Sequence, residues 1–131
     1  MASILIVEDN PTNMRLAVLF VEQAGHSALC ATDAESALAL ARAEAPDLIL
    51  MDIQLPGMDG LAATALLKGD PATSAIPVIA LTALAMKEDH ARSLRAGCDG
   101  YIAKPLRYRQ LFDLIDGLLA RADDAPGTVR Q

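Results

Sequence analysis

The sequence predicts an α/β domain in which a doubly wound parallel sheet of five strands carries helices on both faces. Short apolar segments alternate with helical segments about five times along the 131 residues, which is typical of strand–helix units in a parallel sheet. The central segment, residues 48–51, shows no polar alternation, as in strands that helices cover on both faces. With 53% hydrophobic residues, the chain has enough apolar side chains for one buried core.

Each predicted strand is a short apolar run, and a helical segment follows it. The predicted strands are residues 3–7, 26–31, 48–52, 77–81 and 101–103. The first four predicted helices are at about residues 11–24, 33–45, 61–69 and 87–96. The last helix is indicated by leucine and isoleucine residues that recur at helical spacing between positions 111 and 119.

Local signals place the ends of these helices. Asn10 suits a helix cap, and Pro11 suits the first turn because its fixed φ is helical and its missing N–H is not needed there. Residues 32–35 have the spacing of a capping box. Gly25 and Gly97 are expected to end the first and fourth helices.

The fourth predicted helix and the C-terminus differ from the rest of the chain. Ala91 and Leu94 are the expected core-facing side chains of this polar helix, so we expect it to be the least firmly packed element. Residues 122–131 are mostly small and polar, which indicates a flexible C-terminal tail after a domain that spans residues 1–121.

Charge and composition exclude several classes of function. The formal net charge of −6 argues against direct binding to nucleic acid or to an anionic membrane surface. No apolar run approaches the length of a transmembrane helix, and Met1 precedes a strand-like run rather than a basic leader. Cys30 and Cys98 form no CxxC pair, so we interpret both as reduced thiols of a cytoplasmic protein.

Polar side chains follow the predicted strands at the point where each strand ends. Glu8 and Asp9 follow the first strand, Asp52 the third, Thr82 the fourth and Lys104 the fifth. Because the carboxyl ends of parallel strands share one edge of the sheet, these groups are expected to converge. Three carboxylates together repel one another unless a cation lies among them, and Mg²⁺ is a fitting one.

The predicted cluster has the groups needed to form and hold an aspartyl phosphate. Asp52 supplies a carboxylate nucleophile at the end of a buried strand. Thr82 and Lys104 supply a hydroxyl and an ammonium, both of which bind phosphoryl oxygens. We expect Lys104 to act on the phosphoryl group and to contribute little to folding stability.

Four segments together make the sequence resemble the response-regulator receiver (CheY-like) domains of two-component signalling. The segments are residues 6–10, 51–60, 81–83 and 101–105, in that order, within a resemblance that covers about residues 3–121. The resemblance implies a flavodoxin-like sheet with the strand order 2-1-3-4-5. It also implies that Asp52 is the phosphoacceptor and that Mg²⁺ is held by Asp52, Asp9, Glu8 (directly or through water) and the main-chain carbonyl of Gln54.

The same resemblance assigns roles to the residues at the last two strand ends. Thr82 and Lys104 bind the phosphoryl oxygens, and Thr82 and Tyr101 form the switch pair. The peptide bond between Lys104 and Pro105 is expected to be cis, which would direct the ammonium toward the site. The phosphoryl donor would be a sensor histidine kinase or a histidine phosphotransfer protein. Output would be protein–protein binding through the fourth helix, the fifth strand and the fifth helix.

Two other classes fit the sequence less well. A phosphohydrolase of the haloacid dehalogenase type needs a second acid two residues after its nucleophile, where this chain has Gln54. A dinucleotide-binding protein needs a Gly-x-Gly-x-x-Gly motif after the first strand, and residues 8–13 do not contain one. Within the receiver class, a single-domain regulator and the receiver module of a hybrid histidine kinase both remain open. The position of Met1 favours the single-domain form.

Overall fold

The structure, a computed structural model, describes residues 2–82 and 87–123. Five strands are present in this part of the chain: β1 (Ser3–Val7), β2 (Ser27–Ala31), β3 (Leu48–Asp52), β4 (Val78–Thr82) and β5 (Gly100–Ala103). The five helices that alternate with them are α1 (Pro11–Gln23), α2 (Ala34–Glu44), α3 (Gly60–Gly69), α4 (Lys87–Ala96) and α5 (Tyr108–Asp123).

The strands form one parallel sheet in the order β2-β1-β3-β4-β5. This confirms the predicted doubly wound α/β fold and its strand order. The chain moves outward from β1 to β2, returns to β3 at the centre, and then continues to β4 and β5. The reversal lies between β1 and β3, where open α/β sheets form a crevice at their carboxyl edge.

Alternate residues of each strand pack into two apolar layers. On one face, β1 and β3 residues pack with Ala17 and Val21 of α1 and with Leu111 and Ile115 of α5. On the other face, the intervening strand residues pack with side chains of α2 and α3 such as Ala37 and Leu67. Nearly every side chain of β1, β3 and β4 is therefore removed from water, which explains their unbroken apolar runs.

The helix starts show one confirmed prediction and one that was wrong. Asn10 caps α1, with its side chain accepting a hydrogen bond from the amide of Asn13, and proline occupies the first turn. The cap of α2 is Asp33, however, and not the first residue of the predicted capping box. The carboxylate of Asp33 accepts a hydrogen bond of 2.7 Å from the amide of Ser36. A carboxylate at this position also interacts favourably with the helix dipole.

Two strands begin one residue later than predicted. The amide of His26 donates to the carbonyl of Val21 in α1, so His26 belongs to the helix end and β2 starts at the next residue. Pro77 has no N–H, and β4 begins after it, although its carbonyl still accepts from Ile49. The fifth strand extends one residue further toward the N-terminus, to Gly100.

Helix α4 exposes a leucine that was expected to face the core. Leu94 is 61% exposed, whereas the neighbouring Ser93 is buried. The helix ends at Gly97, as predicted, with φ +101°. The expectation for Leu94 was wrong because the rotation of α4 brings the serine inward. That α4 is the least firmly packed helix stays a prediction.

At the C-terminus, α5 continues to Asp123, two residues beyond the predicted domain boundary. Most of the expected flexible tail, residues 124–131, lies outside the described part of the chain, as does Ala83 of the third motif. Among the helices described, none has both the length and the apolar character to cross a membrane.

The loop after β3 returns tightly to the strand that precedes it. The amide of Gly60 donates to the carbonyl of Ile53 at 2.9 Å, and its carbonyl accepts from the hydroxyl of Thr64 at 2.8 Å. A Cβ atom on Gly60 would overlap the carbonyl oxygen of Asp52. Glycine is therefore required here for a close approach of two backbone segments.

Gly60→Ala should destabilise the fold by roughly 1–3 kcal/mol, because backbone rather than a movable side chain opposes the new methyl group. Gly117→Ala is the matched control. Gly117 lies inside α5 with no atom within 4 Å of a Cβ atom, so alanine should stabilise the protein by roughly 0.5–1 kcal/mol. Urea unfolding of both variants measures the difference, and a Gly60→Ala protein as stable as the wild type would contradict the close approach.

Candidate functional site

Three carboxylates meet at the carboxyl edge of the sheet. Glu8 and Asp9 directly follow β1, and Asp52 is the last residue of β3, which pairs with β1 in parallel. Each of the three contributes one oxygen to a group whose members all lie within 4.8 Å of one another. Glu8 and Asp52 are buried, with 2% and 3% of their surfaces exposed, whereas Asp9 is exposed. The predicted convergence of the acids is confirmed.

Backbone amides hold the two buried carboxylates in place. The amide of Gln54 donates to Oδ1 of Asp52 at 3.1 Å. The amide of Asn10 donates to Oε2 of Glu8 at 3.2 Å. Both donors belong to the turns that leave the strands, so the loop conformations fix the carboxylates at the edge of the sheet.

Lys104 brings the cation into this cluster from the opposite side of β3. Its Nζ donates to Oε1 of Glu8 at 2.7 Å and to Oδ2 of Asp52 at 3.2 Å. The amide of Lys104 donates to the carbonyl of Thr82 at 2.6 Å, which extends the pairing of β4 and β5 to the site. The Lys104–Pro105 peptide bond is cis, as expected.

The ionisation of the site reflects its burial. The pKa of Asp52 is raised to about 6, because desolvation and then the neighbouring Glu8 raise it by more than Lys104 and the amide of Gln54 lower it. Burial alone would lower the pKa of Lys104. Its hydrogen bond to Glu8 and the charge of Asp52 prevail and raise that pKa above the ordinary value. The single ammonium therefore stays charged but does not fully neutralise the buried acids.

Of the other predicted site residues, Thr82 and Gln54 lie at this edge, whereas Tyr101 lies two residues before the end of its strand. Thr82 ends β4, is buried, and follows Leu81, the residue that pairs with Asp52. Tyr101 lies in β5, and its half-buried side chain packs against the apolar layer of α2 and α3. Gln54 is exposed and contributes its amide to the site as described. Its predicted role as a carbonyl ligand stays a prediction.

Sequence reasoning missed the direct pairing between Lys104 and Glu8. The two residues are 96 positions apart, and no local pattern signals that a glutamate and a lysine at different strand ends will meet. Removing the ammonium would leave two buried carboxylates without their cation, which is strongly destabilising. The expectation that Lys104 contributes little to folding stability stays a prediction, and these two ion pairs argue against it.

The arrangement can do two things chemically. The carboxylate oxygens form a hard, anionic cluster of the kind that binds Mg²⁺, because this ion prefers oxygen ligands and commonly takes one or two carboxylates. In addition, Asp52 presents a carboxylate nucleophile beside a charged ammonium at 3.2 Å. An electrophile with negatively charged oxygens, such as a phosphoryl group, would find both a nucleophile and a cation there.

In the absence of divalent cations, the pKa of Asp52 makes stability depend on pH. Because the folded-state pKa of about 6 lies above the ordinary 3.8, folding favours the protonated acid, and stability falls as pH rises through this window. Asp52→Asn removes the titration and keeps the shape. Near pH 7 this variant should be more stable than the wild type by on the order of 2 kcal/mol, and the difference should vanish near pH 4.

Thermal unfolding with a chelator, at a series of pH values, measures this difference. Asp59→Asn serves as the control, since Asp59 is exposed and asparagine also caps helices well. Parallel stability profiles for the wild type and Asp52→Asn would contradict the raised pKa.

Comparison with known proteins agrees with this geometry. Residues 4–116 match the family described as the response regulator receiver domain. The polar-differentiation response regulators DivK of Brucella anthropi and Brucella ovis are each 45% identical to the chain over 120 residues. These matches cover 92% of this chain and 98% of either relative.

Solved structures give the same result. One similar structure is the receiver domain of a sensor histidine kinase from Pseudomonas aeruginosa, which has a magnesium ion coordinated in its active-site cleft. It is 33% identical to this chain with a TM-score of 0.85, and the match covers 91% of this chain and 98% of that one. A CheY-like receiver domain protein from Methanospirillum hungatei is 30% identical with a TM-score of 0.87, covering 95% and 98%. The chain therefore belongs to the response regulator receiver domain family.

Proposed function

We propose that the protein accepts a phosphoryl group on Asp52 from a phosphohistidine of a sensor histidine kinase or a histidine phosphotransfer protein. The observation that carries this proposal is the buried Asp52 carboxylate, which lies among other acids and 3.2 Å from the ammonium of Lys104. A buried acid in such a cluster has little structural purpose, because an apolar residue would be less costly there.

In the proposed step, an oxygen of Asp52 attacks the phosphorus and forms a P–O bond. The P–N bond to the donor histidine breaks, its electron pair stays on the imidazole nitrogen, and that nitrogen takes a proton from water. Lys104 exchanges its bond to Asp52 for one to a phosphoryl oxygen. Thr82, at the end of the adjacent strand, supplies its hydroxyl to another oxygen.

Magnesium is the proposed cofactor. Asp9, Asp52, Glu8 (directly or through water) and the main-chain carbonyl of Gln54 would hold it, and it would neutralise the negative charge of the phosphoryl oxygens. The clustered carboxylate oxygens fit this ion, and the Pseudomonas aeruginosa receiver domain supports the assignment. Because Glu8 is already bonded to Lys104, an indirect contact through water suits it better than a direct one.

A cavity of about 410 Å³ beside the acids provides a place where a donor protein could approach. Glu8 and Asp9 line this cavity together with four residues of α1 and the residue that follows β2: Pro11, Met14, Arg15, Val18 and Thr32. The apolar members lie on the side of α1 that leads to the carboxylates. A protein surface that carries the phosphohistidine could therefore bury apolar area while its imidazole reaches Asp52.

The proposed output is a phosphorylation-dependent change read by a protein partner. Thr82 and Tyr101 act as the switch pair, and the partner binds the surface of α4, β5 and α5. The 61% exposed Leu94 of α4 supports an apolar contact on this surface, and the net charge of −6 disfavours nucleic acid. In this proposal the protein is a cytoplasmic signalling protein, and the only reactions it catalyses are its own phosphorylation and dephosphorylation.

A single-domain regulator is the proposed context. The DivK relatives support it, because the match covers 98% of their length without a further domain. The receiver module of a hybrid histidine kinase is the alternative, represented by the Pseudomonas aeruginosa structure.

Incubation with acetyl phosphate and Mg²⁺ should produce a phosphoryl adduct that is visible by intact-protein mass spectrometry. Asp52→Asn should abolish the adduct, because its amide is not a nucleophile, whereas the control Asp59→Asn should be labelled like the wild type. A chelator should also suppress labelling, since the acids would otherwise repel the phosphodonor. Unchanged labelling of Asp52→Asn, or labelling that is indifferent to the chelator, would overturn the proposed site or its metal.

A further inference from the structure

At the edge of the sheet opposite the site, one lysine uses all three of its ammonium protons. Lys68, in the last turn of α3, donates from Nζ to the carbonyl of Ile76 at 2.7 Å, to Oδ2 of Asp99 at 3.0 Å and to the carbonyl of Ser74 at 3.4 Å. Its side chain is 20% exposed and that of Asp99 is 31% exposed. The ammonium thus ties the α3–β4 loop to the segment before β5.

Asp99 extends this connection to the starts of two strands. Oδ2 of Asp99 also accepts from the amide of Val78 at 2.9 Å, and the amide of Asp99 donates to the carbonyl of Val78 at 2.7 Å. Val78 is the first residue of β4, and Asp99 directly precedes β5. The Lys68–Asp99 pair, which we call the clamp, therefore holds the starts of β4 and β5 together.

The strand that the clamp holds is short and lies at the edge of the sheet. In the described chain β5 has four residues and pairs only with β4. It carries Tyr101, and Lys104 follows its last residue. A slip of one residue would turn every side chain of the strand to the other face. With so few pairing bonds of its own, β5 depends on fixed ends for its register.

The clamp also fixes the end of α4. The stem of Lys68 lies under Gly97, where a Cβ atom would come within 2.9 Å of Cγ of the lysine. The amide of Gly97 donates to Leu94 and that of Cys98 to Ser93, which closes the helix end. The C-terminal end of α4 and the start of β5 are thus held by the same side chain.

We infer that Lys68 and Asp99 are positioning residues for the site at the other edge of the sheet. By fixing the start of β5, the clamp sets where Lys104 and Tyr101 stand relative to Asp52. By fixing the end of α4, it confines any phosphorylation-dependent movement to the N-terminal part of that helix. This inference rests on the proposed phosphorylation of Asp52 for its functional consequence, but its structural part does not need it.

A comparison with the ion pair between Arg42 and Asp70 shows why the clamp is different. Arg42 is 69% exposed, and within the described residues its side chain bonds the Asp70 carboxylate alone, at 2.7 Å. Asp70 belongs to the end of α3, so this pair connects α2 to α3 and does not involve a strand. Exposed pairs of this kind contribute little to stability. Arg42→Met is therefore a matched control for Lys68→Met.

The test uses Lys68→Met, which keeps the apolar stem against Gly97 and removes the ammonium. In the unphosphorylated protein, the amide exchange rates of Val78 and residues 99–102 should rise about tenfold, which is the effect expected from losing one charged hydrogen bond. Exchange rates in α1 and β2 should stay unchanged. Labelling of Asp52 by acetyl phosphate should slow severalfold, because Lys104 is no longer held in place. Affinity for Mg²⁺, measured by calorimetry, should stay within about twofold of the wild type, because its ligands follow β1 and β3.

If Lys68 and Asp99 only stabilised the fold, loss of the ammonium would not slow phosphoryl transfer while leaving the affinity for Mg²⁺ unchanged. A uniform rise in exchange over the whole protein, a parallel loss of Mg²⁺ affinity, or effects as small as those of Arg42→Met would overturn the inference. Asp99→Asn keeps the shape of the side chain and should raise the exchange rates of the same amides. It replaces Lys68→Met in the test if that variant does not fold. Should the wild type itself take no phosphoryl group, the proposed function fails, whereas exchange still decides whether the clamp holds β5.

Discussion

The burial of two carboxylates side by side is the constraint on which the site depends. Glu8 and Asp52 are almost completely removed from water, and the ammonium of Lys104 bonds both. One positive charge cannot balance two buried acids and the nearby Asp9. The site can resolve this imbalance by holding a proton, which the raised pKa of Asp52 reflects, or by binding a divalent cation. Without either of them, the site has a strong preference for added positive charge.

The fold supplies this constraint because parallel strands end together. Their apolar interiors bury the sheet on both faces, so polar side chains are tolerated only at the edges. At the carboxyl edge, residues from three strands collect around Asp52. At the opposite edge, Lys68 and Asp99 join the starts of β4 and β5. A charge change at Asp52 therefore acts on strands whose far ends are fixed, which favours a response near Thr82 over a general loosening.

The sequence predicted the strands and the convergence of acids because both depend on local signals, namely apolar runs and the residues that end them. It could not predict contacts that depend on side-chain direction in three dimensions. The bond from Lys104 to Glu8 joins distant residues, Leu94 turns outward although it is apolar, and Asp33 replaces its neighbour as the cap of α2. The clamp was missed for the same reason, since Lys68 at a helix end resembles an ordinary solvated charge.

Phosphorylation of Asp52 is tested most directly by locating the phosphoryl group on the chain. Borohydride reduces an acyl phosphate to an alcohol, so a phosphorylated aspartate becomes homoserine, which peptide mass spectrometry can place. After treatment with acetyl phosphate and Mg²⁺, homoserine should be found at position 52 and at no other acid. Homoserine at position 9 or 59, or a phosphoryl group that borohydride leaves on a hydroxyl or imidazole, would contradict the assignment of Asp52.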